Sequence, residues 1–197
     1  MNKAISPLHV LHDPPADGPA NMQRDLDLLE SLADQPILRL YQWSGRWVSY
    51  GYFQTEATAA AHFPEPDLQF VKRPTGGGLV DHRHDLTYTL LIPKQHPLAK
   101  LSRSDCYFRI HQLVQKALTR DGHLSQLITQ EIGEGPSCFQ HPVPGDLIEP
   151  LSGKKLAGAA QRRTRYGLLH QGSIQIPSLN TNSVQVAFAE LTNDLKA

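Results

Sequence analysis

The chain has 197 residues, and its 19 Lys plus Arg balance 19 Asp plus Glu. That neutrality excludes a global cationic surface of the kind that gathers nucleic acid or an anionic membrane, leaving only local patches. With 40% hydrophobic and 19% charged residues the chain is globular in profile, and its two cysteines are too few for a disulfide scaffold; no run approaches the ~20 apolar residues of a membrane span.

In chain order, residues 1–20 are broken by prolines and read as an extended arm or first edge strand of a single domain spanning 1–197. The opening MNKAISPLHVLHDPPADGP lacks the uninterrupted apolar core of a signal peptide, so cytoplasmic residence is expected. Asn21 can cap a helix in which Met22, Leu26, Leu29 and Ala33 recur at helical spacing, with Asp25 and Asp27 near the favourable end of its dipole and Pro36 closing it. ILRLYQW and WVSYGYF are rich in β-branched and aromatic residues and flank Ser44-Gly45-Arg46, which predicts a hairpin. TEATAAAH reads as a short helix ended by Pro64. LQFVKR is a strand entering Gly76-Gly77-Gly78, and LTYTLLIP is a strand leaving it.

Tyr107, Ile110, His111, Val114, Ala117 and Leu118 mark an amphipathic helix capped at Ser102 or Ser104. SQLITQE is a candidate strand, and residues 133–146 form a Gly/Pro-rich loop. GKKLAGAAQRRTRYGLLHQGSIQI reads as two strands joined at Gly167 or near His170-Gln171-Gly172, and the tail from Ser178 is weakly helical. Helices beside and between strands, without βαβ alternation, predict an α+β fold.

Three clusters carry chemistry. The glycine triplet alone is a tight turn between strands; it is neither a GxGxxG opening a helix nor a Walker loop. Its company is what suggests more: with Lys72 and Arg73 before it, Thr75 beside it and His82 after it, bared backbone N–H groups next to cations predict an anion-accepting concavity. The second cluster sets Lys154 and Lys155 before the small-residue run Ala157-Gly158-Ala159-Ala160, where a backbone can approach a ligand closely. A lysine there can polarise a carbonyl or act as a base, or it can simply edge a solvated strand. The third is Cys138, in the Gly/Pro loop, three residues before His141 and ahead of the lysines. A cation nearby would make its thiolate nucleophilic. Cys106, beside Tyr107 and Phe108 in a helix, reads as a small core hydrophobe. No CxxC or HExxH pair occurs, and no metal site is expected.

Arg73-Pro-Thr-Gly-Gly-Gly-Leu-Val with His82, then DLTYTL, then GKKLAGAAQRR, resemble in that order the catalytic domain of the biotin/lipoate protein ligases, which includes lipoate ligases and octanoyltransferases. NMQRDLDLLE is similar to that family's early helix and SGRWVSYGYFQ to its following hairpin. The resemblance implies a mixed, largely antiparallel sheet flanked by helices, related to class II aminoacyl-tRNA synthetases. Arg73, Thr75, Gly76, Gly77, Gly78 and His82 fall on the acyl-binding loop, Lys155 on the lysine that meets the reacting carbonyl, and Gly158 and Ala159 on the small-residue strand after it. Arg83 stands where the family commonly has Asp.

PSCFQHPVPGDLI resembles the cysteine-bearing loop of the cysteine–lysine octanoyltransferases, which makes Cys138 the implied nucleophile and Lys155 its partner, ahead of His141 as base. What this branch implies is transfer from octanoyl-acyl carrier protein to a lipoyl domain, such as the glycine cleavage H protein or a 2-oxoacid dehydrogenase E2, without a cofactor. The alternatives are an ATP- and Mg2+-dependent lipoate ligase, whose accessory domain is not expected here, and a non-catalytic acyl-binding homologue.

Overall fold

The computed structural model describes residues 7–129 and 142–192. Seven strands form the main sheet: β1 (His9–His12), β2 (Ile37–Tyr41), β6 (Leu86–Pro93), β7 (Gln126–Leu127), β8 (Leu147–Ile148), β9 (Lys155–Arg163) and β10 (Gly167–Ile174). Their order is β1-β2-β6-β10-β9-β8-β7, and only the β1–β2 pair is parallel. A second sheet has the order β4-β3-β5, from β3 (Trp47–Tyr50), β4 (Gln69–Lys72) and β5 (Val80–Asp81). The fold is α+β, as the sequence predicts.

Every residue of β6 and β10 is buried, because helices or the second sheet cover both faces of the main sheet. Alternation along each strand sorts the side chains. Leu86, Tyr88, Leu90, Ile92, Leu168 and Ile174 join the main core with the helices α4 (Arg103–Arg120) and α5 (Thr181–Ala189). On the other face, Leu91 and Leu169 pack on Leu28 and Leu29 of α1 (Gly18–Glu30). The remaining side chains of that second face, Thr87, Thr89, Gln171 and Ser173, are polar yet buried, and they mark where the sheet floors something other than core.

Several expectations change. Helix α1 is capped by Asp17, whose carboxylate accepts from Ala20 N–H at 2.8 Å; Asn21 sits inside the helix, buried, and its amide donates to Ala16 and Gln42 carbonyls. The helix ends at Glu30, so Ala33 lies beyond it and Pro36 only precedes β2. The predicted hairpin does not form: β2 has both edges occupied, by β1 and β6, so the chain turns at Ser44-Gly45 and β3 becomes the centre of the second sheet. Ser102 is the cap of α4, accepting from Asp105 N–H. Strands β9 and β10 meet at a turn over residues 164–166, so Gly167 opens β10 while His170-Gln171-Gly172 lies in mid-strand. The short helix α2 (Glu56–His62) forms as read. A further helical turn, α3, spans Pro97–Lys100.

Candidate functional site

The glycine triplet lies in the connection from β4 to β5, which must cross the end of β3 because β3 stands between them. The crossing is tight: a Cβ on Gly51 would lie 2.0 Å from Gly77 O, and Gly77 takes φ +87°, a conformation that favours glycine. Arg73 holds the loop from inside. Its Nη1 donates to Ser49 O at 3.0 Å and Ser49 Oγ at 2.7 Å, and its Nη2 donates to Gly76 O at 3.1 Å and Gly78 O at 2.7 Å. The loop thus turns carbonyls, rather than a nest of N–H groups, toward this guanidinium. Thr75 is fully buried and donates to Gln171 Oε1 at 2.7 Å, while Gln171 Nε2 donates to Asp25 Oδ2 at 2.7 Å. Loop, β10 and α1 are moored by one chain of hydrogen bonds.

His82 closes the same corner. Ser49 Oγ accepts from Arg73, so its hydroxyl proton goes on to His82 Nε2 at 2.6 Å; Nδ1–H then donates to Asp85 Oδ2 at 2.8 Å. Thr87 and Ser173 also donate to that oxygen, and the imidazole stacks on Trp43 at 4.0 Å. With both ring nitrogens engaged, His82 offers a site its ring rather than a spare base. His84 is exposed, and Arg83 is held by Asp81 and Glu65.

The second half of the site is built on β9. Lys155 is 5% exposed, and its Nζ pairs with Asp146 Oδ2 at 2.6 Å. Val143 N–H donates to the same oxygen at 2.8 Å, and Tyr107 Oη donates to Asp146 Oδ1 at 2.5 Å. Burial, and then the Asp146 charge, push the Tyr107 phenol well above its ordinary range, so it stays a donor to the carboxylate while accepting from Ala159 N–H at 2.8 Å. Beside it His111 gives Nδ1–H to Gly145 O at 2.7 Å, and burial pushes its pKa down to about 4, so the ring is neutral at pH 7. A Cβ on Gly158 would lie 2.5 Å from Lys155 Nζ, so the ammonium stem lies across the strand only because position 158 has no side chain. Lys154 is exposed.

These halves face one pocket. Arg73, His82, Lys155, Gly158 and Ala159 line it together, on a polar floor of Thr87, Gln171 and Ser173. Its apolar wall is Met22, Trp43, Val80 and Ala160. Apolar side chains and a buried cation lining one pocket are the composition expected around an aliphatic chain with a polar head. Cys138 and His141 lie outside the described residues. Cys106 is fully buried in the main core, where burial pushes its thiol up. Among the described residues no cluster of His, Cys, Asp or Glu could hold a metal ion, and no helix is long and apolar enough to cross a membrane.

Sequence reasoning missed Asp146, Tyr107, Asp85 and Gln171. Two had a local signal, Asp146 as the isolated acid of GDLI just ahead of GKK and Asp85 as the first residue of DLTYTL; Gln171 and Tyr107 carry none, because their partners are distant in the chain.

The family of lipoyl protein ligase A/B catalytic domains matches residues 17–191. The chain is 31% identical over 169 residues to octanoyltransferase LipM of Lysinibacillus sphaericus, covering 78% of this chain and 60% of that protein. It is 32% identical over 173 residues to the LipM of Oceanobacillus iheyensis, covering 84% and 63%. It therefore spans about three fifths of these relatives' length. Among solved structures, protein Ta0514 of Thermoplasma acidophilum superposes with a TM-score of 0.72 at 20% identity over 95% of this chain and 85% of that one. A lipoate-protein ligase A bound with ATP gives 0.66 at 20% identity, over 95% and 85%. A bi-partite lipoate protein ligase studied with its E2 lipoyl domain, also from Thermoplasma acidophilum, gives 0.66 at 19%, over 97% and 85%.

Proposed function

This chain belongs to the lipoyl protein ligase A/B catalytic domain family, and from that premise we propose that it is an acyltransferase of protein lipoylation. It moves an octanoyl or lipoyl group from a carrier-protein thioester to a lysine of a lipoyl domain, through an acyl-enzyme on Cys138. The observation that supports this reading is the pocket lined by apolar side chains together with Lys155, itself paired with Asp146 and lying over Gly158. The relatives named octanoyltransferase LipM support octanoyl as the acyl group.

In the first step the Cys138 thiolate attacks the thioester carbonyl; a new C–S bond forms, and the carrier thiol leaves with the proton that Cys138 gave up. In the second, the acceptor ε-amine attacks the acyl-enzyme, loses a proton and releases Cys138 as thiol. Lys155 favours both steps as a fixed positive charge: it lowers the thiol's pKa and balances the developing oxyanion. Ala159 N–H does not serve as the oxyanion donor, since Tyr107 Oη takes it. Two acyl exchanges make ATP activation unnecessary. The acceptors are lipoyl domains such as those of the glycine cleavage H protein or an E2; the lipoate ligase studied with its E2 lipoyl domain shares this fold and supports that assignment.

Intact-mass analysis after incubation with octanoyl carrier protein tests the reading. A gain of about 126 Da, the octanoyl group replacing one hydrogen, is expected in the wild type without ATP and absent in Cys138→Ala. Labelling of a lipoyl domain that requires ATP and free lipoate, and survives Cys138→Ser, would establish the ATP-dependent ligase instead. Acyl binding with no transfer would leave the non-catalytic homologue.

A further inference from the structure

The rim of the pocket carries a surface that acyl chemistry does not use. Phe53 is 90% exposed and Tyr52 48% exposed, and the two rings meet edge to face at 5.3 Å. They are held rather than dangling: Tyr52 N–H donates to Thr75 O at 2.8 Å, and Gly51, just before them, is packed against Gly77. Two cations address the same ring. Lys72 Nζ lies 4.9 Å and Arg162 Cζ 5.6 Å from the Tyr52 centroid, within cation–π reach. Among the described residues neither cation has a carboxylate at ion-pair distance. Nearby Arg46 is neutralised by Glu65 and Asp67, and Arg83 by Asp81 and Glu65. The patch adjoins the mouth: Arg162 donates to Pro74 O at the start of the glycine loop, and Ala160, two residues back on the same strand face, lines the pocket.

Exposed aromatics on an anchored backbone, with flanking positive charge that no carboxylate of the described residues pairs, are the composition of a recognition surface. We propose that this rim docks the acceptor domain of the transfer reaction, through an acidic face that surrounds its target lysine. The assignment rests on the transfer to a protein lysine proposed above. Reach selects the acceptor over the donor. A lysine amine stands only about 6 Å from its own backbone, so the acceptor's surface must abut the mouth; a carrier protein delivers its acyl group on a longer prosthetic arm and need not.

The test uses the full chain with octanoyl carrier protein, a lipoyl domain as acceptor, and hydroxylamine as a small acceptor without a surface. Lys72→Glu/Arg162→Glu and Phe53→Ser are compared with wild type. Loading, and discharge to hydroxylamine, are expected to stay within about twofold, while KM for the domain rises about tenfold in the double variant. Wild-type KM should also climb between about 0.05 and 0.5 M salt, and the double variant's should not. Variants that keep the wild-type KM would overturn the surface. So would an equal loss in loading, which would assign the rim to the donor. A wild type that transfers nothing removes the transferase reading, and the docking role with it; a wild type that transfers while the variants match it removes the docking surface alone.

Discussion

Two buried cation–carboxylate pairs, Arg39 with Asp25 and Lys155 with Asp146, are built to different ends. Arg39, 1% exposed, spends its guanidinium on Asp13, Asp25 and both oxygens of Asn21, with the Tyr41 ring 3.8 Å away. Asp25 in turn accepts from Thr89 and Gln171 at 2.7 Å each. Every strong donor and acceptor is closed into the network that joins α1, β2, β6 and β10. Lys155 and Asp146 are likewise buried, with Tyr107 and Val143 donating to the carboxylate, but here the cation lines the pocket, which Arg39 does not. Burial and pairing are therefore common to structure and chemistry. What separates them is whether the charge borders a space that another molecule can enter.

The largest expected effect breaks the comparison most directly. Lys155→Ala should lower acyl transfer by about a thousandfold, whereas Arg39→Met should cost about 3–5 kcal/mol of stability by stranding Asp25 and leave turnover per folded molecule near wild type. Single-turnover rates beside denaturant melts measure both, and an Arg39 variant that is stable but inactive would reverse the assignment. Gly158→Ala comes next. Its methyl would displace the Lys155 ammonium, and a misplacement on that scale should cost about a hundredfold in rate with a small change in melting temperature. Tyr107→Phe removes the donor to Asp146 and the acceptor for Ala159 N–H, and should destabilise by about 1–3 kcal/mol. If rate and not stability falls, Tyr107 belongs to the reacting side of the pair.

The smallest effect separates the two regions by pH. His111 is neutral in the fold with its pKa lowered to about 4, so acid protonates the unfolded ring first. Its contribution is present above about pH 6.5 and is lost as pH falls toward about 4, by no more than about 3 kcal/mol. Burial, acting against Arg39, raises the Asp25 carboxyl, so its contribution has the opposite sign and declines as pH rises through the carboxylate range. Melting temperatures from pH 7 to 4 should fall less steeply in His111→Asn than in wild type, and an unchanged slope would falsify the sign assigned to that ring.

Local pattern made much of this molecule legible. The helix cap at Ser102, the Thr55-led helix α2 and the strands β4 and β6 follow from residues within a turn or two of one another. The strand that leaves the triplet, however, is the two-residue β5, which pairs with β3 and which local pattern did not show, so LTYTLLIP begins only after it and in the other sheet. Arg73, His82 and Lys155 were singled out because each sits near a recognisable small-residue run, and the structure brings all three to the lining of one pocket. The hairpin expected across Ser44-Gly45 fails for a reason no local rule contains: both edges of β2 are claimed by strands from elsewhere. Asn21 looked like a cap and is instead half of an Arg39 clamp from another element.

By itself the sequence determined the alternation that makes β6 and β10 two-faced, the glycines that allow a crossing at residue 77 and an ammonium over residue 158, and the cations beside them. Only the tertiary structure decided what each group does. Arg73 turned inward to carbonyls, His82 was tied at both nitrogens, and Lys155 was given Asp146. The physical reason is range: propensity acts over a few residues, while the bonds that assign these roles join Thr75 to Gln171 and Gln171 to Asp25, 96 and 146 positions apart. Such partners meet only after apolar burial has brought the strands together.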